Sequence, residues 1–415
     1  MYKIISLTKK LLASQFYAMS LYARQIAGTI VLLFVSRFLS VYDYGLFRSY
    51  GTIATFCLMF ANLDYANYIL VSSKANVHDV KLKISLFISN AILLLLVILL
   101  LSFSFNLENS LIFVLVLLRT FFDSTFFGLM LPYYQAAKKF NLISWINIFY
   151  SVMTIIFTLI CYIKHYNLVT FLIFGITLGL FNFIQCSYFA KIDYLLYFKH
   201  IKNIIQRIDK SIWAYIGGSV AYFLYAQIPP LYVSLTIPKE KAALFFAAYT
   251  IANIAFILVN AQNQKLVPEL IKCDTNQCKR VLNNNCIFIL SILFTIILVF
   301  SLFGKFIMKM IYGQEVYGDA NLILIILTLG NIFVALGAIH GAYITAKGLQ
   351  KYKPRFMLEA SVVTGISLLL LHKFGIYGAA LSFLFAAIYA GGRFTSFTRQ
   401  ELNRQYYNKT VRGDI

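Results

Sequence analysis

The basic residues of this chain are confined almost entirely to alternate gaps between long apolar stretches. Twelve stretches are apolar over roughly the 20 residues that a helix needs to cross ~30 Å of hydrocarbon. They are residues 16–40, 48–71, 84–105, 109–134, 142–163, 166–189, 211–236, 242–267, 284–308, 318–346, 355–371 and 375–397. Each must satisfy its own backbone in lipid, so each is predicted to be a helix. The pattern therefore predicts an all-α polytopic membrane protein.

The distribution of charge predicts which ends of the spans face the cytoplasm. The gaps on one side of the predicted membrane hold 25 of the 36 Lys and Arg residues, and the gaps on the other side hold six. Because short cytoplasmic loops are enriched in Lys and Arg, this split predicts cytoplasmic N- and C-termini. The net charge of +21 is explained by these loops, which argues against a nucleic-acid partner.

An internal repeat divides the twelve spans into two halves. At an offset of 198 residues, residues 35–62 and 233–260 are identical at eight of 28 positions. The two segments start at equivalent steps of the topology, so the halves run in the same direction, as in transporters built from parallel repeats. We expect six-helix lobes at residues 1–200 and 201–415, with a cleft between them that opens to each side of the membrane in turn.

Four short motifs carry a resemblance to a known family. Residues 36–47 read SRFLSVYDYGLF, residues 310–317 read MIYGQEVY, residues 346–351 read AKGLQK and residues 374–380 read FGIYGAA. In order and position they resemble motifs of Wzx-type polysaccharide flippases, which move O-antigen or capsule repeat units. These flippases belong to the multidrug/oligosaccharidyl-lipid/polysaccharide exporter superfamily. The resemblance covers essentially the full length and implies two lobes in a V around a central, cationic cavity.

The resemblance also implies a function. It predicts a flippase that moves undecaprenyl-pyrophosphate-linked oligosaccharide from the cytoplasmic to the outer leaflet of a bacterial inner membrane. No covalent chemistry and no cofactor are expected, and H+, Na+ or the membrane potential would supply the driving force. Expected partners are the lipid-linked substrate, membrane lipids and other polysaccharide assembly proteins, and the protein is expected to be a monomer.

The sequence leaves an alternative open within transport and disfavours a membrane enzyme. A small-molecule or drug antiporter, or a lipid II flippase, of the same superfamily is the alternative within transport. A membrane polysaccharide polymerase or ligase is disfavoured, because such enzymes carry a sizeable external loop with catalytic residues. The longest external gap here, residues 309–317, is too short for such a loop.

Arginines inside the spans are the strongest candidates for substrate contacts. A charge near the bilayer centre costs at least ~2.5–3.5 kcal/mol on insertion scales, so each one requires a reason. Arg24 and Arg119 lie deep in the first half and are predicted to line its cavity, where a guanidinium can grip a pyrophosphate with two hydrogen bonds. Arg37 at the outer turn is a third candidate, although it could instead anchor the membrane interface.

Four further charged residues are predicted as partners or as ion-coupling groups. Asp64 lies at the depth of Arg24, and Asp123 follows Arg119 by one turn on the same predicted helix face. Glu359 and Arg393 lie near the cytoplasmic ends of the last two spans and are predicted to pair. Ion pairs of this kind could also simply hold helices together.

Neutral polar residues and a proline pair complete the predicted site. The polar residues predicted to line the cavity are Asn62, Asn253, Asn260 and Gln264. The last three share one helix face, and such amides can bond sugar hydroxyls, although interhelical hydrogen bonds explain each of them equally well. Pro229 and Pro230 remove backbone donors inside span seven, which is predicted to bend there and act as a gate.

Overall fold

The computed structural model describes residues 2–62, 65, 68–69, 73, 76–104, 109–191 and 212–412. Asp64 lies outside these residues, and so do the side chains of Asn62, Asn260 and Gln264. The described residues form long helices joined by short turns and contain no β-strand. The prediction of an all-α fold is confirmed.

Contacts divide the chain into two compact units, residues 1–220 and 221–415. The described part of the first unit contains α1 (Tyr2–Phe38), α2 (Val41–Asn62), α3 (Val77–Ser104), α4 (Ser110–Ala136), α5 (Phe140–Ile163), α6 (Leu168–Ala190) and the start of α7 (Ile212–Thr236). One π-helical turn, Phe121–Thr125, interrupts α4. The predicted lobe boundary at residues 200 and 201 lies outside the described residues.

The second unit contains the rest of α7 and five further helices. These are α8 (Lys239–Lys272), α9 (Thr275–Tyr312), α10 (Asn321–Ala346), α11 (Lys353–Leu371) and α12 (Ile376–Arg412). The twelve helices of the described chain correspond in order to the twelve predicted spans. α9 and α12 extend well beyond the apolar stretches 284–308 and 375–397, because a helix continues past the hydrocarbon wherever polar residues can cap it.

The N-terminus of α9 shows how such an extension is stabilised. The Asp274 carboxylate accepts a hydrogen bond from the Gln277 backbone N–H at 2.8 Å, and the Gln277 side chain accepts from the Asp274 N–H at 3.4 Å. This reciprocal arrangement is a capping box, which satisfies two otherwise unpaired backbone donors. At the other end, Gly313 has a left-handed backbone with φ of 71° and closes the helix, as glycine commonly does at this position.

The exposed apolar side chains indicate that the helices are surrounded by lipid. Counted over the described residues, eight helices are long and apolar enough to cross a membrane. On α9, Phe294, Leu298, Leu302 and Phe306 follow one another at helical spacing, and each is more than half exposed. A continuous exposed stripe of this kind is favourable in a bilayer and a liability in water. The chain is a multi-pass membrane protein.

Four helix pairings of the first unit recur in the second. In the first unit α4 packs against α2, α3 and α6, and α5 packs against α6. In the second unit α10 packs against α8, α9 and α12, and α11 packs against α12. Each pairing recurs six helices later, as an internal repeat predicts.

Glycines allow α10 and α12 to approach closely. A Cβ atom at Gly391 would lie 2.5 Å from the Phe333 carbonyl oxygen and 3.1 Å from its carbonyl carbon. We expect Gly391→Ala to lower the free energy of unfolding by about 1–3 kcal/mol, because the α10 backbone would have to shift. Thermal unfolding of the purified protein in detergent measures this. Gly392→Ala is the matched control, since no heavy atom lies within 4 Å of its Cβ position, and equal losses in both variants would contradict the prediction.

Candidate functional site

Arg24 of α1 connects three helices of the first lobe. Its Nη2 donates to the Asp123 carboxylate at 3.0 Å and to the Asp123 backbone carbonyl at 2.5 Å, both on α4. Its Nη1 donates to the Asn147 side-chain oxygen on α5 at 3.3 Å. The guanidinium carbon lies 3.8 Å from the centre of the Phe127 ring and 4.6 Å from that of Tyr150. Charge-assisted hydrogen bonds and cation–π contacts together hold this cation in one position.

The packing of α1 against α5 supports this arrangement. Asn147 and Ser20 are fully buried, and the Asn147 amide donates to the Ser20 hydroxyl at 3.4 Å. The Arg24 side chain is 16% exposed, whereas that of its partner Asp123 is 38% exposed. The arginine of this ion pair is therefore largely buried in the lobe, whereas the carboxylate remains accessible.

Asp123 lies in the π turn of α4. Turns of this type occur frequently at functional sites, because the added residue redirects side chains and backbone carbonyls. α6 packs tightly here, since a Cβ atom at Gly179 would lie 2.7 Å from the Phe122 Cβ. The turn presents both the carboxylate and the carbonyl of Asp123 to Arg24.

Arg119 lies four residues earlier on α4 and faces α6 and α2. Its guanidinium carbon is 4.2 Å from the centre of the Phe171 ring and 5.4 Å from that of Phe47. A Cβ atom at Gly175 would lie 2.7 Å from its Nε, so a glycine on α6 makes room for it. Its Nη1 is buried and has no hydrogen-bond partner among the described residues. Arg119 therefore keeps an unused donor.

Asp123 follows Arg119 on α4 and lies close enough to attract its charge. The Asp123 carboxylate forms its ion pair with Arg24 of α1, whereas the Arg119 guanidinium packs against Phe171 of α6. The predicted pair of Arg24 with Asp64 stays a prediction, since Asp64 lies outside the described residues.

Arg37 is separate from these two arginines. It is exposed in the last turn of α1. Thirteen residues separate it from Arg24, which corresponds to roughly 20 Å along a helix that rises 1.5 Å per residue. The structure does not bring Arg37 to the Arg24 site.

The second lobe contains the predicted pair of Glu359 and Arg393. The Arg393 Nε lies 3.0 Å from Glu359 Oε2. Two unpredicted residues join them: the Arg355 Nε lies 2.9 Å from Glu359 Oε1, and the Tyr389 hydroxyl donates to Oε2 at 3.0 Å. The four-residue spacing of Arg355 and Glu359 on one helix could have been read from the sequence, whereas the contribution of Tyr389 depends on how α11 packs on α12.

Of the four polar residues predicted to line the cavity, one has a described side chain. Asn253 is half-buried on α8, while the side chains of the other three lie outside the described residues. The amide that contacts a buried cation is instead Asn147, and sequence reasoning missed it. A single Asn in an apolar span is a weak signal, because interhelical hydrogen bonding explains most such residues.

Pro229 and Pro230 are both buried within a continuous α7. They provide no N–H for the carbonyls one turn earlier, which leaves a weak point in the helix. If α7 is the predicted gate of a transporter, the Pro229→Ala, Pro230→Ala double variant should export several-fold more slowly, because the restored hydrogen bonds stiffen α7. Pro132→Ala, which removes a buried proline from the interior of α4, is the control and should leave the rate unchanged. Unchanged export in the double variant would exclude the predicted gate.

The helix order and packing of this chain match a known fold, which is that of several solved membrane transporters. Over 92% of this chain the fold superposes on 96% of a multidrug resistance MATE family transporter in an inward-facing conformation, with a TM-score of 0.70 and 13% identity. The lipid II flippase MurJ in an inward closed conformation matches with a TM-score of 0.68 and 16% identity, over 95% of this chain and 90% of MurJ. A MOP superfamily transporter from Pyrococcus furiosus, described as having a binding pocket of reverse polarity, matches with a TM-score of 0.63 and 14% identity, over 96% of each chain.

One curated protein is similar at the sequence level. Capsular polysaccharide biosynthesis protein CapF of Staphylococcus aureus is 26% identical over 263 residues, which are 60% of this chain. The match spans 66% of the length of CapF. No family model matches the sequence.

Proposed function

We propose that this protein flips a lipid-pyrophosphate-linked oligosaccharide from the cytoplasmic to the outer leaflet of a bacterial inner membrane by alternating access. The observation that carries the proposal is the pair of arginines in the first lobe. Arg24 is held beside an accessible carboxylate, and Arg119 keeps a buried donor that has no partner in the described part of the chain. A diphosphate offers several acceptor oxygens that can satisfy both guanidinium groups.

Asp123 gives this site a means of coupling. Its carboxylate occupies one edge of the Arg24 guanidinium, where a substrate phosphate would bind in the proposed mechanism. A phosphate that displaces Asp123 leaves this carboxylate without its cationic partner, and a coupling cation can then balance its charge. Substrate binding and ion binding would then be linked through one side chain, which is how a gradient can drive transport.

The similarity to a capsular polysaccharide biosynthesis protein favours a surface glycan as the cargo, whereas the fold alone fits several cargoes. In the organism that carries this gene, we expect its deletion to abolish one surface polysaccharide and to leave its lipid-linked repeat unit in the inner leaflet. Extraction of lipid-linked oligosaccharide and immunoblotting of surface glycan measure the two effects.

Two outcomes would support the alternatives. A deletion that leaves surface glycan intact and sensitises cells to cationic dyes would indicate a drug antiporter. A deletion that stops cell-wall synthesis and accumulates lipid II would indicate a lipid II flippase. Reconstitution into proteoliposomes with a fluorescent polyprenyl-diphosphate oligosaccharide tests the transport step directly.

A further inference from the structure

The second lobe contains a cavity of about 280 Å³ that the proposed transport mechanism does not use. Its walls come from α7, α8, α10, α11 and α12. Small-molecule sites typically enclose ~300–1,000 Å³, so this cavity can hold a small ligand or part of a lipid. It is far too small for an oligosaccharide linked to a lipid diphosphate.

The cavity is apolar over most of its wall and polar at one end. Phe333, Met357 and Phe394 contribute large apolar surfaces, while Lys353 and Thr345 contribute an ammonium and a hydroxyl. A wall of this composition matches an amphiphile, with a chain among the aromatic side chains and a head group beside Lys353.

Lys353 is a half-buried cation without an acidic partner among the described residues. Its ammonium donates to the Thr345 hydroxyl, which leaves two of its three donors unused. The nearby carboxylate on the same helix, Glu359, is already bound by Arg355 and Arg393. An acidic ligand would therefore give Lys353 the counter-ion that it lacks among the described residues.

The cavity also has an unsatisfied hydroxyl. Tyr225 lines it from α7 and is only 4% exposed, and its hydroxyl has no hydrogen-bond partner among the described residues. Buried hydroxyls are nearly always hydrogen-bonded, and this one leaves its hydrogen-bonding capacity unused among the described residues.

A glycine leaves space beside the ammonium. A Cβ atom at Gly341 would lie 3.8 Å from the Phe394 ring and 3.9 Å from the Lys353 Nζ. These are ordinary contact distances, so a Cβ atom fits at position 341. A larger side chain introduced there would occupy the cavity next to Lys353. Gly341 therefore offers a way to fill the cavity while keeping its charge.

We propose that this cavity binds an amphiphile with an acidic head group and an apolar chain, with Lys353 on the head group and Phe333, Met357 and Phe394 around the chain. The predicted topology places residues 347–354 at the cytoplasmic surface, where an anionic phospholipid of the inner leaflet supplies this chemistry. The residues that line the cavity all belong to the second unit, whereas Arg24 and Arg119 belong to the first.

The test uses the full-length protein purified in a neutral detergent. Three probes are added separately: dioleoylphosphatidylglycerol, dioleoylphosphatidylcholine, which has the same chains and no net charge, and inorganic phosphate. Native mass spectrometry counts bound lipid, and thermal unfolding reports stabilisation by each probe. We expect the anionic lipid to remain bound and to raise the melting temperature, and the other two probes to do neither at the same concentration.

Variants then locate the site. Lys353→Gln should weaken binding of the anionic lipid by about tenfold, the loss expected for one charge-assisted hydrogen bond, and Lys353→Arg should retain it. Gly341→Leu should also abolish binding, although it keeps the charge. Lys351→Gln is the matched control, because Lys351 is an exposed lysine two residues away, and it should bind as the wild type does.

Three results would overturn the proposal. These are equal binding of the charged and neutral lipids, binding of inorganic phosphate as tight as that of the lipid, and undiminished binding in Gly341→Leu. If Lys353→Gln does not fold, the proposal is still tested by the comparison of the three probes on the wild-type protein and by the Gly341→Leu variant. Because no transport is measured, the result does not depend on the proposed flippase activity.

Discussion

A strain that carries Arg24→Ala in place of the wild-type protein is expected to lose export of its surface polysaccharide by about 10- to 100-fold, the effect of losing charge-assisted hydrogen bonds to a phosphate. The same substitution removes the partner of Asp123 and the hydrogen bond to Asn147. It should therefore also lower the free energy of unfolding by about 1–3 kcal/mol. Surface glycan is measured by immunoblotting, and protein abundance is measured in the same cells.

The second substitution Asp123→Ala separates the two roles of Arg24. In the double variant no carboxylate is left unpaired, so stability should recover toward that of the wild type. Export should not recover if Arg24 binds the substrate. Arg355→Ala is the matched control, since Arg355 also binds a carboxylate but is 72% exposed, and an exposed ion pair contributes little. Full export by Arg24→Ala at normal abundance would rule out a role in substrate binding.

Arg119→Leu is expected to reduce export without reducing stability, whereas Arg24→Ala should reduce both. Export should fall by about 10- to 100-fold if the unused Nη1 donor binds a substrate oxygen. Stability should be unchanged or higher by up to about 2 kcal/mol, because leucine removes a buried donor that has no partner, although the cation–π contact with Phe171 is lost. A purely structural arginine would show neither the loss of export nor the gain in stability.

Two further variants test whether the position of Arg119 is important. Arg119→Lys keeps the charge but cannot bond a phosphate bidentately, so export should recover only in part. Gly175→Ala keeps the arginine and places a methyl group 2.7 Å from the wild-type position of its Nε, so the guanidinium must move. Export is measured per unit of protein in each case. If Arg119→Leu exports as the wild type does, the guanidinium has no part in transport.

The helical architecture could be predicted from the sequence because it depends on local properties. Each apolar stretch is long enough to span the hydrocarbon, and a backbone in lipid must bond to itself. The structure accordingly has helices at all twelve predicted spans among its described residues. The Glu359–Arg393 pair could also be anticipated, because two opposite charges at the same depth of adjacent spans have few other partners.

The candidate site was predicted less completely. Arg24 and Arg119 can be selected from the sequence as candidates, since a cation within a span is costly and therefore informative. The partner of Arg24 was not predicted: Asp64 was suggested, and the structure pairs Arg24 with Asp123. The π turn that contains Asp123 has no clear signal in the sequence of α4, because a single added residue leaves the apolar pattern intact.

The sequence by itself determined the number of spans, their helical state and the presence of costly charges within them, because lipid imposes these requirements on each segment separately. Only the tertiary structure decided which charges are paired, which donor of Arg119 is unused, and that Lys353 and Tyr225 share a cavity. Those outcomes depend on angles and distances between side chains of different helices. Such distances are determined by how glycines such as Gly175 and Gly391 allow neighbouring helices to approach, and by one π turn, and they follow from packing rather than from any local pattern.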